Sequence, residues 1–291
     1  MSFRTVVVKT RCKLEYSLNY LVYRTPETET KICMDEISTL IVQNTGVAIT
    51  ATLLSMLMEK KVKVIFCDSK SNPQGELIPY YGAYNSMEKI ENQVRWTADF
   101  KNDLWRLIIR EKIKGQAANL DFIGQADSSS KLLGYLDEIT PGDASNREGH
   151  AAKVYFNSCF GNDFSRGSDC QINAYLNYGY SIILSAINRE IKNFGYLTEL
   201  GIHHVGKENP FNLSCDFMEP LRPFVDRMVL GGEVSKENFK QQFVNCLNIN
   251  VKIEDKEMLL DNAIHLYVQS LLSALNSQSM AKVRLIDYGG I

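Results

Sequence analysis

Residues 50–67 read Thr50-Ala-Thr-Leu-Leu-Ser-Met-Leu-Met-Glu-Lys-Lys-Val-Lys-Val-Ile-Phe-Cys67. Thr50 is the kind of residue that caps a helix, and Leu53, Leu54, Leu57 and Met58 recur behind it at helical spacing. Residues 63–67 then form a short run of β-branched and aromatic side chains, which predicts a strand. Upstream, residues 5–9 are β-branched, residues 14–23 carry Leu and Tyr in short runs, and residues 32–42 alternate apolar and polar. Turn-like stretches separate these pieces, as in Arg24-Thr-Pro-Glu-Thr-Glu-Thr30 and Asp68-Ser-Lys-Ser-Asn-Pro73. The pattern predicts a small β-rich domain with one helix over residues 1–80.

Downstream the period changes. A linker is expected at about 79–86, around Pro79-Tyr-Tyr-Gly-Ala-Tyr84. Residues 93–114 place Val94, Phe100, Leu104, Leu107, Ile108 and Ile113 on one broad apolar face, which predicts a helix. Further helices are expected over 148–160, 170–194 (stopping near Gly195), 236–247 and 255–276. The fold class that follows is α+β, a small β-rich N-terminal domain joined to an all-α helical domain over 86–291.

Composition bounds the function. The chain has 291 residues, 45% hydrophobic and 23% charged, enough apolar material for a real core and too much for a disordered chain. Lys plus Arg number 32 against 34 Asp plus Glu, which excludes a uniformly basic nucleic-acid coat and leaves room for a local basic stripe. The seven cysteines include no CxxC pair and no zinc-knuckle spacing, the pattern of reduced thiols. Met1-Ser2-Phe3-Arg4 has no apolar stretch behind it, and no apolar run approaches the ~20 residues that span a bilayer. A cytoplasmic protein with no membrane contact is expected.

Gly201-Ile-His-His-Val-Gly-Lys-Glu208 fits the outline of a phosphate-binding GxxxxGK loop, but Glu208 stands where Ser or Thr would hold magnesium. Asn209-Pro210 also disfavours the helix that such a loop needs. Another chemistry fits the segment better. His203 and His204 lie in a glycine-flanked loop. Shortly after it, Asp216-Phe-Met-Glu219 spaces two carboxylates one helical turn apart among Leu213, Phe217, Met218 and Leu221. Carboxylates with little water around them require a cation, a proton or an arginine, here Arg222 or Arg227. A third acid, Glu148, opens a helix beside the small residues Gly149, Ala151 and Ala152. His265 sits in an apolar helix and reads as a core or boundary histidine.

At this point the chain resembles the CRISPR-associated integrase that captures new spacers, the catalytic subunit of the adaptation complex. The resemblance spans nearly the whole sequence. In the N-terminal part it rests on Arg4-Thr-Val-Val-Val8, Leu14-Glu-Tyr16, Asp35-Glu-Ile37, Thr50-Ala-Thr-Leu-Leu54 and Val64-Ile-Phe-Cys-Asp68. It continues through Trp105, Lys112-Ile-Lys-Gly-Gln116, Arg147-Glu-Gly149, Ala152-Lys-Val-Tyr-Phe156 and Asn173-Ala-Tyr-Leu-Asn-Tyr-Gly-Tyr180. It ends with Leu200-Gly-Ile-His-His204 and Asp216-Phe-Met-Glu-Pro-Leu-Arg-Pro223. The N-terminal stretch looks most like the type II branch, found beside single-chain RNA-guided effector nucleases. Two departures stand out: His203 occupies a usually apolar position, and Gly115-Gln116 replaces a more usual Asn-Gln pair.

The resemblance implies catalytic metal ligands at Glu148, His204 and Glu219, with Asp216 in support. Two carboxylates and one imidazole suit Mg2+ or Mn2+, whereas structural zinc sites favour Cys and His. It further implies that the β-rich domain serves dimerisation and partner contact. The implied partners are double-stranded DNA (the captured fragment and the CRISPR repeat), a second copy of the chain, a small ferredoxin-like adaptation subunit, the effector nuclease and a ring-forming DNA-end binder. The expected activity is insertion of short foreign DNA into a CRISPR array by 3′-hydroxyl transesterification. Its rivals are a general structure-specific DNA nuclease and a non-enzymatic DNA-binding scaffold.

Candidate DNA contacts are Arg106, Arg110 and Lys114, which recur every four residues and form a helix stripe. Lys9, Arg11 and Lys13 alternate as if along one face of an extended strand, and Lys153, Arg166 and Arg222 lie near the proposed ligands in sequence or motif.

Overall fold

The computed structural model describes residues 4–79, 85–232 and 234–289. The chain divides into two compact units, Met1–Tyr84 and Asn85–Ile291. Of the linker expected at 79–86, residues 80–84 lie outside the described residues.

In the first unit the strands are β1 Arg4–Val8, β2 Lys13–Ser17, β3 Tyr20–Arg24, β4 Glu29–Cys33, β5 Ile37–Val42 and β6 Ala48–Ile49. Helix α1, Ala51–Glu59, follows, then β7 Lys63–Cys67 and β8 Pro73–Glu76. They form two four-stranded sheets, ordered β1-β5-β7-β8 and β4-β3-β2-β6. In the first, β1, β5 and β7 run parallel, and β5 is buried along its whole length, as a central parallel strand should be. The Thr50 hydroxyl accepts the Leu53 amide and caps α1. Leu53 and Leu57 then enter a core with Leu14, Leu21, Ile37, Leu40 and Val64.

Two strand readings need correction. Residues 32–42 are not one alternating strand: a single 3-10 turn, Met34–Glu36, separates β4 from β5. The Asp35 carboxylate accepts from Asn19 and Lys60 there, anchoring the turn. Lys9, Arg11 and Lys13 do not share a strand face either. β1 belongs to one sheet and β2 to the other, so residues 9–12 are the crossover and Lys13 starts a new strand.

The second unit contains α2 Ser86–Val94, α3 Ala98–Phe122, α4 Ala126–Tyr135, α5 Arg147–Phe160, α6 Gln171–Asn193, α7 Asn212–Met218, α8 Arg222–Leu230 and α9 Phe239–Asn245. A hairpin, β9 Asn250–Ile253 and β10 Lys256–Leu259, precedes α10 Leu260–Ser277. The helix expected over 93–114 is broken between α2 and α3. The break buries Trp96, whose indole nitrogen donates to Asn276 at 2.9 Å and whose ring stacks on Tyr196. The unit is mostly helical rather than all-α. The helix expected from 255 starts at Leu260, because Val251 and Ile253 alternate into the core and Glu254-Asp255 turn the chain with positive φ at both positions.

α3 is the spine of this unit. Trp105, Ile108, Ile109, Ile113 and Gln116 are buried along it. Gly115 leaves room for the C-terminal tail, since a Cβ there would collide with the Tyr288 hydroxyl and come within 2.9 Å of Pro223. That hydroxyl donates to the Pro220 carbonyl at 3.3 Å, so the tail closes over the α7–α8 junction. No helix among the described residues is long and apolar enough to cross a membrane.

Candidate active site

Three loops and helix ends bring the acids together. The Asp143 carboxylate accepts the amides of Arg147 and Glu148, both at 2.9 Å, and caps α5 from outside. That places Glu148 in the first turn, partly open to solvent. Gly149 beside it is tight, since a Cβ would lie 2.7 Å from the Asn146 side-chain oxygen.

The Gly201–His204 turn wraps around a carboxylate. Asp216, on α7, is fully buried and accepts the backbone N–H groups of Ile202 at 2.7 Å, His203 at 3.1 Å and His204 at 3.0 Å. It also receives His204 Nδ1 at 2.6 Å. A Cβ at Gly201 would lie 2.6 Å from Asp216 Oδ2, so the turn requires glycine. The loop amides that resemble a phosphate cradle in sequence therefore already hold a protein anion. The Asp216 hydrogen bond raises the His204 pKa against the opposing effect of burial, and the charges of Glu219 and Glu148 add to the rise. With Nδ1 committed to Asp216, Nε2 is the nitrogen left for a ligand. His203 instead lies flat on Trp105, with ring centroids 4.1 Å apart. The imidazole set against Asp216 is therefore that of residue 204.

Glu219 sits in the 3-10 turn between α7 and α8, 2% exposed. Its Oε1 accepts from Arg222 Nε at 2.8 Å and its Oε2 from Lys112 Nζ at 2.5 Å. Burial alone would raise its pKa, but Lys112 and Arg222 outweigh burial and hold it down at about 2. The same Lys112 ammonium contacts Glu148 Oε1 at 2.6 Å. Glu148 and Glu219, 71 positions apart in the numbering, thus converge on one buried cation. Among the described residues no three His, Cys, Asp or Glu side chains are grouped to hold a metal ion. The donor chemistry nonetheless fits a divalent cation: two carboxylates already arranged about a positive charge, with an oriented imidazole in their field.

Lys112 had no role in the reading of the sequence beyond its place in a motif. Its signal was available, since it stands among Ile108, Ile109, Ile113 and Gln116 on the buried face of a helix, where an unpaired lysine is costly. Asp143 left no comparable trace, because a cap four and five residues upstream looks like any loop aspartate.

Behind Arg222 lies a second buried acid, Asp226. Tyr180 donates to it, Tyr155 hydrogen-bonds it, and the Arg222 guanidinium lies 4.7 Å over the Tyr180 ring. Burial pushes its pKa from 3.8 up to about 6, in spite of these partners and of Arg166. The folded chain thus holds this proton more tightly than the unfolded chain. The stability this contributes is complete below about pH 4 and is lost as pH rises through about 6, a loss of about 3 kcal/mol. Asp226→Asn should therefore gain stability relative to the wild type by about that amount between pH 4 and pH 7. Urea unfolding at several pH values measures it, and a constant difference would contradict it.

The candidate DNA contacts fall into two groups. Arg106 and Lys114 are exposed on α3 beside Asp103 and Glu111, and Lys153 is exposed on α5. Arg110 donates to the Leu136 carbonyl at 2.5 Å. Arg166 is held by Asn173 and Asn177, and Arg222 by Glu219, so both serve internal contacts. His265 pairs with Glu190 at 2.7 Å.

The chain is similar to known proteins in sequence and in fold. A model of the family described as CRISPR associated protein Cas1 matches residues 5–258. A CRISPR-associated endonuclease Cas1 of Neisseria meningitidis serogroup C (strain 8013) is 30% identical over 292 residues, covering 98% of this chain and 96% of that protein. The solved structure of a casposase bound to integration product superposes with a TM-score of 0.76 at 20% identity, covering 96% of this chain and 92% of that one. A chain of a Cas6-RT-Cas1–Cas2 complex gives 0.75 at 17% identity, covering 96% of this chain and 35% of that one.

Proposed function

The chain belongs to the CRISPR associated protein Cas1 family, and from that premise we propose that it is a metal-dependent DNA integrase and endonuclease that inserts short foreign DNA fragments into a CRISPR array. The observation that carries this reading is the meeting of Glu148 and Glu219 at one buried cation, with His204 oriented by Asp216 in their field. Glu148, His204 and Glu219 would hold Mg2+ or Mn2+. When bound, the ion supplies Lewis-acid polarisation of the phosphodiester and stabilises charge on the departing oxygen.

In the reaction, the 3′-hydroxyl oxygen of the captured duplex bonds to a phosphorus of the repeat. The bond from that phosphorus to the repeat strand's own 3′ oxygen breaks, and this oxygen takes up a proton. One phosphodiester forms for each one lost, so the step needs neither ATP nor a covalent enzyme intermediate. The chain's part is to hold the buried Glu219 ionised, to bring Glu148 beside it and to fix the His204 imidazole.

Its partners on this reading are duplex DNA, a second copy of the chain and a small ferredoxin-like adaptation subunit, acting in the cytoplasm. The Cas1–Cas2 complexes among its structural neighbours support a subunit of the Cas2 kind. The type II branch adds the effector nuclease and a ring-forming DNA-end binder. On this reading the exposed Arg106, Lys114 and Lys153 would meet phosphate.

The test compares 3′-hydroxyl with 3′-deoxy donor ends in a strand-transfer assay with the partner subunit present. Joining is expected with the hydroxyl and none without it. Cutting of branched DNA with no joining from either end would make the chain a structure-specific nuclease.

A further inference from the structure

We propose that Lys112 is a positioning residue that keeps the metal's place: its ammonium holds Glu148 and Glu219 together in the metal-free chain and must be displaced before a divalent cation can bind. This inference rests on the metal-site reading above and adds a residue to it.

The geometry sets two cations in competition for these carboxylates. Lys112 Nζ lies 2.6 Å from Glu148 Oε1 and 2.5 Å from Glu219 Oε2, between two side chains carried by different elements. A Mg2+ ion held by the same two side chains would be in direct repulsion with the ammonium. The charge inventory agrees. Glu148 and Glu219 are balanced by Lys112 and Arg222, and Arg222 is occupied on the far oxygen of Glu219. Each of the two acids thus has a cation in direct contact. A lysine suits this task better than an arginine, because a compact point charge on a flexible stem holds two oxygens at once and can withdraw without moving α3.

A consequence separates this role from a merely structural one. If Lys112 competes with the metal, the chain binds metal with an affinity reduced by the fraction of sites that the ammonium keeps closed. Removing the charge should then strengthen metal binding, whereas removing a supporting residue should weaken it.

The experiment measures Mn2+ affinity of the full chain by isothermal titration calorimetry, alongside the melting temperature with and without Mn2+. The chains compared are the wild type, Lys112→Gln, Lys112→Met and Lys112→Arg. Lys112→Gln keeps a polar amide donor, on a side chain one bond shorter, and guards against the chance that Lys112→Met fails to fold. The metal-free melting temperature should fall in the Gln and Met variants. Their Mn2+ affinity should rise about tenfold, and the stabilisation on adding Mn2+ should exceed the wild type's. Lys112→Arg, which keeps the charge, should show no gain. Mn2+ affinity that is unchanged or weaker in Lys112→Gln, with the wild type binding normally, overturns the place-keeping role and leaves the metal site standing. Failure of every chain to bind Mn2+ removes the metal-site reading and this inference together.

Discussion

Glu148→Ala, His204→Ala and Glu219→Gln should each lower strand transfer by on the order of 10³-fold or more. The three differ in what they do to the fold. Glu148 is partly exposed, and its loss still leaves Lys112 paired with Glu219, so the chain should melt near the wild-type temperature. His204→Ala removes an imidazole but leaves Asp216 its three backbone donors, and the turn should persist. Glu219 is different. Truncated to Ala, it would leave Arg222 with no carboxylate and Lys112 half-paired inside the unit, a cost of about 3–5 kcal/mol. The Gln variant keeps the volume and one acceptor, and it separates chemistry from folding. Joining assays paired with circular dichroism melts measure both. Wild-type joining by folded Glu148→Ala or His204→Ala would remove that residue from the reaction.

The second large effect is expected at a residue outside the proposed ligand set. Asp216 takes four donors on two oxygens with no contact to solvent. Asp216→Asn converts one oxygen into an NH2 group that must face donors. Either the Ile202 and His203 amides or the His204 amide and ring nitrogen then lose their acceptor. The stability loss should be about 2–5 kcal/mol, the cost of two buried donors left unpaired. Without the carboxylate, the His204 ring loses both its orientation and the charge that makes its free nitrogen a stronger ligand. Mn2+ affinity and joining rate should fall about 10–100-fold, as for other residues that orient a ligating histidine. Calorimetric Mn2+ titration of the folded variant checks this. Unchanged affinity would show that the Asp216 contact shapes the loop and does not serve the imidazole.

What could be read from the sequence follows from how local each signal is. The cap at Thr50 and the leucines behind it lie within one helix, and the structure matches them closely. The hairpin over 250–259 carries little local signal, since its strands are four residues each and its turn rests on positive φ at Glu254 and Asp255. Lys9, Arg11 and Lys13 alternate as a strand would, but the chain changes sheets between them, a tertiary event with no local marker. The site shows the same division. Asp216 and Glu219 stand close together, one helical turn apart and shortly after His204 in the sequence, whereas Glu148 joins them through a cap on Asp143 and an ammonium from α3. Their meeting depends on three helices packing in one way, and only family resemblance linked them in advance. The resemblance also marked Gly115 as a departure, and the structure supplies its reason: the Tyr288 hydroxyl occupies the space that a side chain would fill.

A crystal of the full chain grown with Mn2+ and measured at the manganese absorption edge decides whether Glu148, His204 and Glu219 hold a metal. The anomalous peak should be bounded by the carboxylates of Glu148 and Glu219 and by Nε2 of His204, with the Lys112 ammonium no longer between the two acids. A peak elsewhere on the protein, with Lys112 still bridging Glu148 and Glu219, would contradict this assignment.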